Sequence, residues 1–225
     1  MKKELVYLLG YFYADGYLFG TKHKYPALSI IKGDSIAILD CLNKLNMKYT
    51  VSHRFRTNSK NEQACIKISA KDENIELFRN ILADKIHMNN IKNHIAEENY
   101  PYFLRGFFDG DGCINISKNN NSRLYFYGSF DQDWNLIFDT LKQLNIKYTY
   151  QQIIRKCGKH KSSMICISNK CGINLLYEYI YPSRKFDFGL FRKYEKLNSI
   201  KGGVKSNHTK IYSDVVTTEQ IKIYT

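Results

Sequence analysis

Residues 8–16 read LLGYFYADG and residues 104–112 read LRGFFDGDG, 96 positions apart. Gly10 and Ala14 in the first stretch, and Gly106 and Gly110 in the second, are each spaced by four residues. Residues four apart share one face of an α-helix, and small side chains there let two helix backbones approach closely. The neighbouring aromatics Tyr11, Phe12, Phe107 and Phe108 then pack outward into the body of each half. Asp15-Gly16 and Asp111-Gly112 end the two stretches, and glycine suits the turn that closes a helix. Two such helices paired in parallel about a pseudo-twofold bring Asp15 and Asp111 to the same end.

The repetition extends beyond the motif. Residues 45–50 read LNMKYT and residues 144–149 read LNIKYT, an offset of 99. At that offset Asp34, Asp40, Leu42, Ile66, Ile68, Ser69 and Leu77 meet Asp133, Asp139, Leu141, Ile165, Ile167, Ser168 and Leu176. The shift from 96 to 99 places three extra residues in the second copy, and Lys118-Asn119-Asn120-Asn121-Ser122 is a natural turn for them. The chain thus reads as two copies of a unit of about 97 residues, too long a period for a solenoid. The copies occupy 1–96 and 97–200, and 201–225 is a polar C-terminal tail.

Each copy has the same order of elements. Helices are predicted over 3–14 and 97–110, followed by strands near 17–22 with 26–32 and near 113–118 with 122–130. Ile36, Leu39, Leu42 and Leu45, and likewise Leu136, Phe138, Leu141 and Leu144, recur at near-helical spacing. A second strand pair is predicted near 48–56 with 63–69 and near 147–155 with 162–168, and a helix near 72–83 or 172–180 closes each unit. The fold class is α+β, with two pseudo-symmetric αββαββα halves and antiparallel sheets. Phe186, Phe188, Leu190, Phe191, Tyr194 and Leu197 read as a closing helix on the second half, and Ile211–Val216 as an added strand or docked extension.

Bulk composition limits the partners. The 225 residues are 44% hydrophobic with three prolines, which supports a core and excludes general disorder. Lys plus Arg is 34 against 21 Asp plus Glu, a net charge of +13. Such a field attracts polyanions, nucleic acid first and a membrane surface second. An AT-rich coding bias inflates Lys, Asn, Ile and Tyr and accounts for part of it. No stretch reaches the roughly 18 apolar residues of a membrane span. Met1-Lys2-Lys3 before Leu5–Ala14 resembles a signal peptide, but Glu4, the tyrosines and Asp15 oppose that reading. The six cysteines (41, 65, 113, 157, 166 and 171) are too sparse for a disulfide framework. Cys157, His160, Cys166 and Cys171 match no tight zinc pattern. A reducing compartment is expected, cytoplasm or organellar matrix.

Two adjacent carboxylates repel, and an unpaired charge there is costly. A divalent cation relieves both. Carboxylate and carbonyl oxygens suit Mg²⁺, which keeps waters and phosphate oxygens as further ligands, and a helix C-terminus adds carbonyls of negative partial charge. Such a site suits metal-assisted phosphodiester hydrolysis. A single Asp-Gly would read as an ordinary turn; two in register with a repeat point to a site. Asp109-Gly110-Asp111-Gly112 is not an EF-hand, because Cys113, Ile114 and Asn120 stand where Asp/Asn, Gly and Glu are needed.

The two stretches resemble the paired motifs of the LAGLIDADG homing endonucleases, and the repeat carries the resemblance across about residues 1–200. It implies motif helices at the interface between halves, sheets forming a saddle over the DNA major groove, and a single-chain monomer. It implies a Mg²⁺-dependent site-specific endonuclease of the intron-homing type, Mn²⁺ able to substitute, acting on double-stranded DNA with a long, near-unique target. Asp15 and Asp111 would hold the metals, one per strand cut, with the carbonyls of Ala14 and Gly110 as further ligands. The family's Gln-Lys pair before the second helix is here Ile31-Lys32, which makes Lys32 a catalytic candidate, and in the second copy Phe130-Asp131, whose charge would repel phosphate. Two other readings stand beside it on the same fold: an intron RNA maturase, and a DNA-binding regulator that does not cut.

Alternation along strands places Ser52, Arg54 and Arg56 on one face, and Gln151, Ile153 and Arg155 on another. Arg, Gln and Ser read base edges in the major groove. The candidate DNA contacts are Lys22, Lys24, Arg54, Arg56, Lys67, Arg123, Tyr125, Gln151 and Arg155. Lys92, Lys185, Arg192, Lys193 and Lys196 read as phosphate contacts or solvated charge.

Overall fold

The computed structural model describes residues 1–55, 62–117, 121–155, 161–182, 185–201 and 218–224, with side chains described as far as Ile200 except that of Arg155. The first copy runs α1 (Lys3–Asp15), β1 (Tyr17–Phe19), β2 (Tyr25–Ile31), α2 (Lys32–Lys44), β3 (Tyr49–Phe55), β4 (Glu62–Ile68) and α3 (Ile75–Ala83). After two short 3₁₀ turns the second runs α4 (Tyr100–Asp111), β5 (Gly112–Ile116), β6 (Ser122–Ser129), α5 (Asn135–Gln143), β7 (Thr149–Arg155), β8 (Lys161–Ile167) and α6 (Lys170–Ile180). Both halves have the expected αββαββα order. The second motif helix starts at Tyr100 rather than at 97. Pro101 falls in its first turn, where a missing N–H breaks no helical bond.

The repeated strands pair antiparallel in matching order, β1-β2-β4-β3 in the first copy and β5-β6-β8-β7 in the second, whose sheet carries one more strand beside β7. The repeated hexapeptide has a backbone reason. Asn46 and Asn145 both take positive φ, 55° and 52°. Each ends a helix in the left-handed conformation that Asn tolerates. Met47 N–H donates to Leu42 O (3.0 Å) and Asn46 N–H to Asn43 O (2.9 Å). Ile146 N–H donates to Leu141 O (2.8 Å) and Asn145 N–H to Lys142 O (3.0 Å). This pair of bonds is the Schellman cap, and the residue after each Asn, Met47 or Ile146, is buried as the cap's apolar contact.

The chain forms two compact units that cut across the sequence repeat. One comprises Met1–Lys85, Asn90–Gly110 and Phe186–Leu190; the other comprises Ile86–Asn89, Asp111–Lys185 and Phe191–Thr225. The first unit therefore holds both motif helices almost whole. Every residue of α1 from Leu5 to Ala14 is buried, as expected of a helix enclosed on all sides. Phe12 meets Phe78 of α3 edge-on at 4.9 Å. In the second unit Leu136, Ile137 and Leu141 of α5 and Ile173, Leu176 and Ile180 of α6 are buried, as are Leu124, Phe126, Ile165 and Ile167 of the sheet.

The segment expected as one closing helix divides. Phe186–Leu190 is not helical and belongs to the first unit, while α7 (Phe191–Lys201) begins after it in the second. Buried charge explains the division. Arg105, fully buried on α4, donates to Asp187 (2.6 Å) and to Phe188 O (3.2 Å). Lys3 donates to the same carboxylate at 2.8 Å. Asp109 accepts from Tyr7 Oη and Leu190 N–H, both at 2.9 Å. Gly189 turns the chain at φ 103°. Residues 211–216, read as an added strand or docked extension, lie outside the described residues; beyond them β9 (Thr218–Tyr224) runs parallel to β7 with Thr149 opposite Thr218.

Candidate metal and nucleic-acid site

Within the first unit α1 and α4 pack backbone against backbone. A Cβ on Gly10 would collide with Phe103 O, and one on Gly106 with Tyr7 O. A Cβ on Gly110 would strike the Ala14 side chain and come within 3.3 Å of Asp15 Oδ2. The contacts climb both helices in the same direction, so the pair is parallel, and the small-residue face is the crossing. Asp15 is exposed at the end of α1, beside Gly110, and Asp111 is the next residue along the chain.

Gly16 closes α1 in an extended conformation. Its φ and ψ are −75° and 160°, and its N–H bonds Phe12 O at 2.8 Å. Glycine stands there because a Cβ would collide with the Phe12 backbone. Asp109, the other acidic residue of the second motif, is 1% exposed and anchors Tyr7 and Leu190; its role is structural.

The structure places two lysines at the motif ends, Lys85, which sequence reading missed, and Lys193, which it read as a phosphate contact or solvated charge. Lys85, just beyond α3, donates to Ala14 O at 2.7 Å and Gly16 O at 2.9 Å. Tyr13 Oη in turn donates to Lys85 O. In the second unit Lys193 of α7 donates to Gly112 O at 2.8 Å. Gly112 is the repeat equivalent of Gly16, so each motif ends with a lysine ammonium on its glycine carbonyl. The lysines themselves do not repeat: Tyr181 and Arg184 stand at offsets 96 and 99 from Lys85, and Glu97 stands 96 before Lys193. No periodicity could have linked them.

Lys32 opens α2, where its ammonium is 2.8 Å from Glu62 Oε2. That hydrogen bond lowers the Glu62 carboxyl pKa. Asp131 is exposed in the turn after β6. Cys41, Cys65 and Cys166 are buried and free, and burial pushes the Cys41 thiol up to about 12. Cys157 and His160 lie outside the described residues.

Three of the expected DNA contacts converge. Arg123, Tyr125 and Gln151 line one recess of about 410 Å³ with Thr149, Met164, Cys166 and Ser168. The register explains this, since Cys166 is opposite both Tyr125 and Thr149, and Met164 is opposite Gln151. On the first sheet Arg54 is opposite Gln63, and Lys67 is opposite both Ala27 and Thr50. Arg54 donates to Ser29 Oγ at 2.9 Å, and Lys67 sits 3.7 Å above the Phe19 ring. Lys22 and Lys24 are exposed between β1 and β2. Arg56 and the Arg155 side chain lie outside the described residues.

Among the described residues no group of three or more His, Cys, Asp and Glu could hold a metal. The donors at the motif ends are instead carboxylates and backbone carbonyls, a sparse oxygen set. Mg²⁺ accepts one or two carboxylates and completes its octahedron with water and substrate phosphate. The Ala14 carbonyl already faces a cation, the Lys85 ammonium. By donor chemistry an oxygen ligand of this kind suits such an ion, and the Lys85 ammonium would have to release Ala14 O to it.

Residues 98–181 match the model of the LAGLIDADG-like domain. No curated protein matches the chain. Among solved structures, full-length DUF199/WhiA from Thermatoga maritima matches at TM-score 0.57 and 17% identity, over 89% of this chain and 60% of that one. An I-DmoI variant in complex with its nicked target DNA and manganese matches at 0.54 and 14%, over 80% and 96%. The homing endonuclease I-WcaI bound to its DNA recognition sequence matches at 0.54 and 17%, over 81% and 82%. At these identities the likeness is one of fold.

Proposed function

We propose that this chain, whose fold is that of the LAGLIDADG homing endonucleases, is a sequence-specific double-strand DNA endonuclease using divalent-metal-assisted hydrolysis. The observation that carries the reading is the glycine-tight crossing of α1 and α4, with the Asp15 carboxylate beside Gly110 at the end where Asp111 follows. Each copy ends its small-residue helix on a carboxylate, Asp15 and Asp111, the donor type that a divalent cation takes.

Asp15 and Asp111, with the carbonyls of Ala14 and Gly110, would hold the divalent ions. Bound there, such an ion supplies Lewis-acid stabilisation of the phosphate and an activated water. The rest falls to the chain. Lys85 steadies the Ala14–Gly16 turn and keeps a positive charge where negative charge grows on the phosphate. Lys32 must exchange its Glu62 partner for phosphate to act on the first strand. Arg54, Lys67, Arg123, Tyr125 and Gln151 offer hydrogen bonds to base edges in the major groove. The DNA-bound and metal-containing neighbours support this use of the fold.

One observation favours a second reading, a DNA-binding protein that does not cut. Asp131 places an acid where the first copy has Lys32, and Lys32 is itself engaged by Glu62. Single substitutions Asp15→Asn and Asp111→Asn separate the readings. In an endonuclease each abolishes its centre's cleavage and spares DNA binding. Full activity in both variants removes the metal assignment.

A further inference from the structure

We infer that Arg192, Lys193 and Lys196 of α7 form a phosphate clamp at the end of the second motif, gripping the backbone of duplex DNA. The inference rests on the DNA-binding reading above. These side chains and the start of β5 (Gly112, Cys113 and Ile114) line an open recess of about 300 Å³. None of the six lining residues is acidic, and three carry fixed positive charge. The lining suits an anion, and an open recess suits a polymer backbone better than an enclosed small molecule.

The helix is held so that this face cannot turn away. Arg192 and Lys196 are four residues apart, and Lys193 and Lys196 three, so the cations form one patch. On the other side Tyr194 packs on Tyr181 at 5.1 Å and on Tyr177 at 6.0 Å, and Leu197 and Ile200 are buried. Lys193 is itself 7% exposed and bonded to Gly112 O. That bond fixes α7 and its cationic face against the end of the second motif. Gly112 is one residue from Asp111. The clamp so supplies to the second copy the positive charge that Asp131 denies it, and it does so from the C-terminal helix, which has no counterpart in the first copy.

The test is the salt dependence of binding to a duplex DNA of arbitrary sequence. Each phosphate contact contributes about 0.9 to the slope of log K against log salt. The double variant Arg192→Ala/Lys196→Ala, which leaves buried Lys193 in place, is compared with Lys71→Ala/Lys142→Ala, which removes the same charge elsewhere. The clamp predicts a slope shallower by about 2 in the first variant and little change in the second. Equal slopes in both variants overturn the clamp and leave the function standing. A slope change seen with duplex RNA but not with duplex DNA also overturns it. Failure of the unmodified protein to bind duplex DNA overturns the clamp and the proposed function together.

Discussion

At the scale of single residues, the charges that matter most structurally are the ones hidden. Burial alone would raise the Asp187 carboxyl, but hydrogen bonds from Lys3 and Arg105 outweigh it and hold the group below its ordinary value of 3.8. A carboxyl depressed in the folded state stabilises above its unfolded pKa, and the contribution disappears as pH falls through the folded value. Asp187→Asn removes the carboxylate that faces the fully buried Arg105 guanidinium and should cost about 3 kcal/mol at neutral pH. Denaturant titrations from pH 7 to pH 3 should show the gap between variant and parent closing toward acid. A gap that stays constant with pH would mean that Asp187 acts through packing rather than charge. The sequence displayed Asp15 and Asp111 because a repeat framed them. It hid Lys85, Arg105 and Asp187, and the partner of Lys193, because these contacts span 71, 82 and 81 positions and follow no period.

At the scale of elements, the repeat made the order of helices and strands readable, and packing explains why. The small-residue face of α1 must survive because Phe103 backbone occupies the space of any Cβ on Gly10. Gly10→Ala should destabilise by about 3 kcal/mol. Gly33→Ala, in α2 with nothing within 4 Å, should stabilise by about 0.5 to 1 kcal/mol through helix propensity alone. Thermal or urea unfolding of the two variants would expose any failure of this contrast. The caps offer a second handle. Asn46→Val forces a β-branched residue into the left-handed region and should cost about 1–2 kcal/mol, whereas Asn46→Gly should be close to neutral. Equal losses in both would show that the Asn side chain, not the backbone, was the conserved feature of the hexapeptide. The 186–190 segment was misread because aromatic spacing is compatible with a helix. Asp187, Gly189 and the Arg105 pocket decide otherwise, and only tertiary contact reveals that.

At the scale of the whole molecule, two facts frame the function. The net charge of +13 predicts DNA binding that weakens steeply with salt. The division into compact units places α4 up to Gly110 with the first copy, while Asp111 opens the second unit. The division therefore cuts the chain within the second motif, between Gly110 and Asp111. The sequence could not show this, because repetition marks ancestry of segments while compactness marks where buried contacts fall. The central claim is that Asp15 and Asp111 serve two metal-dependent cuts. The measurement that tests it most directly is a cleavage selection, with the purified protein and a randomised duplex library joined to host-genome fragments, in Mg²⁺ and in Ca²⁺. Discrete cuts in both strands are expected in Mg²⁺, and none in the Asp15→Asn/Asp111→Asn protein. Specific retention of duplexes without Mg²⁺-dependent cutting, or equal cutting by the doubly substituted protein, would contradict it.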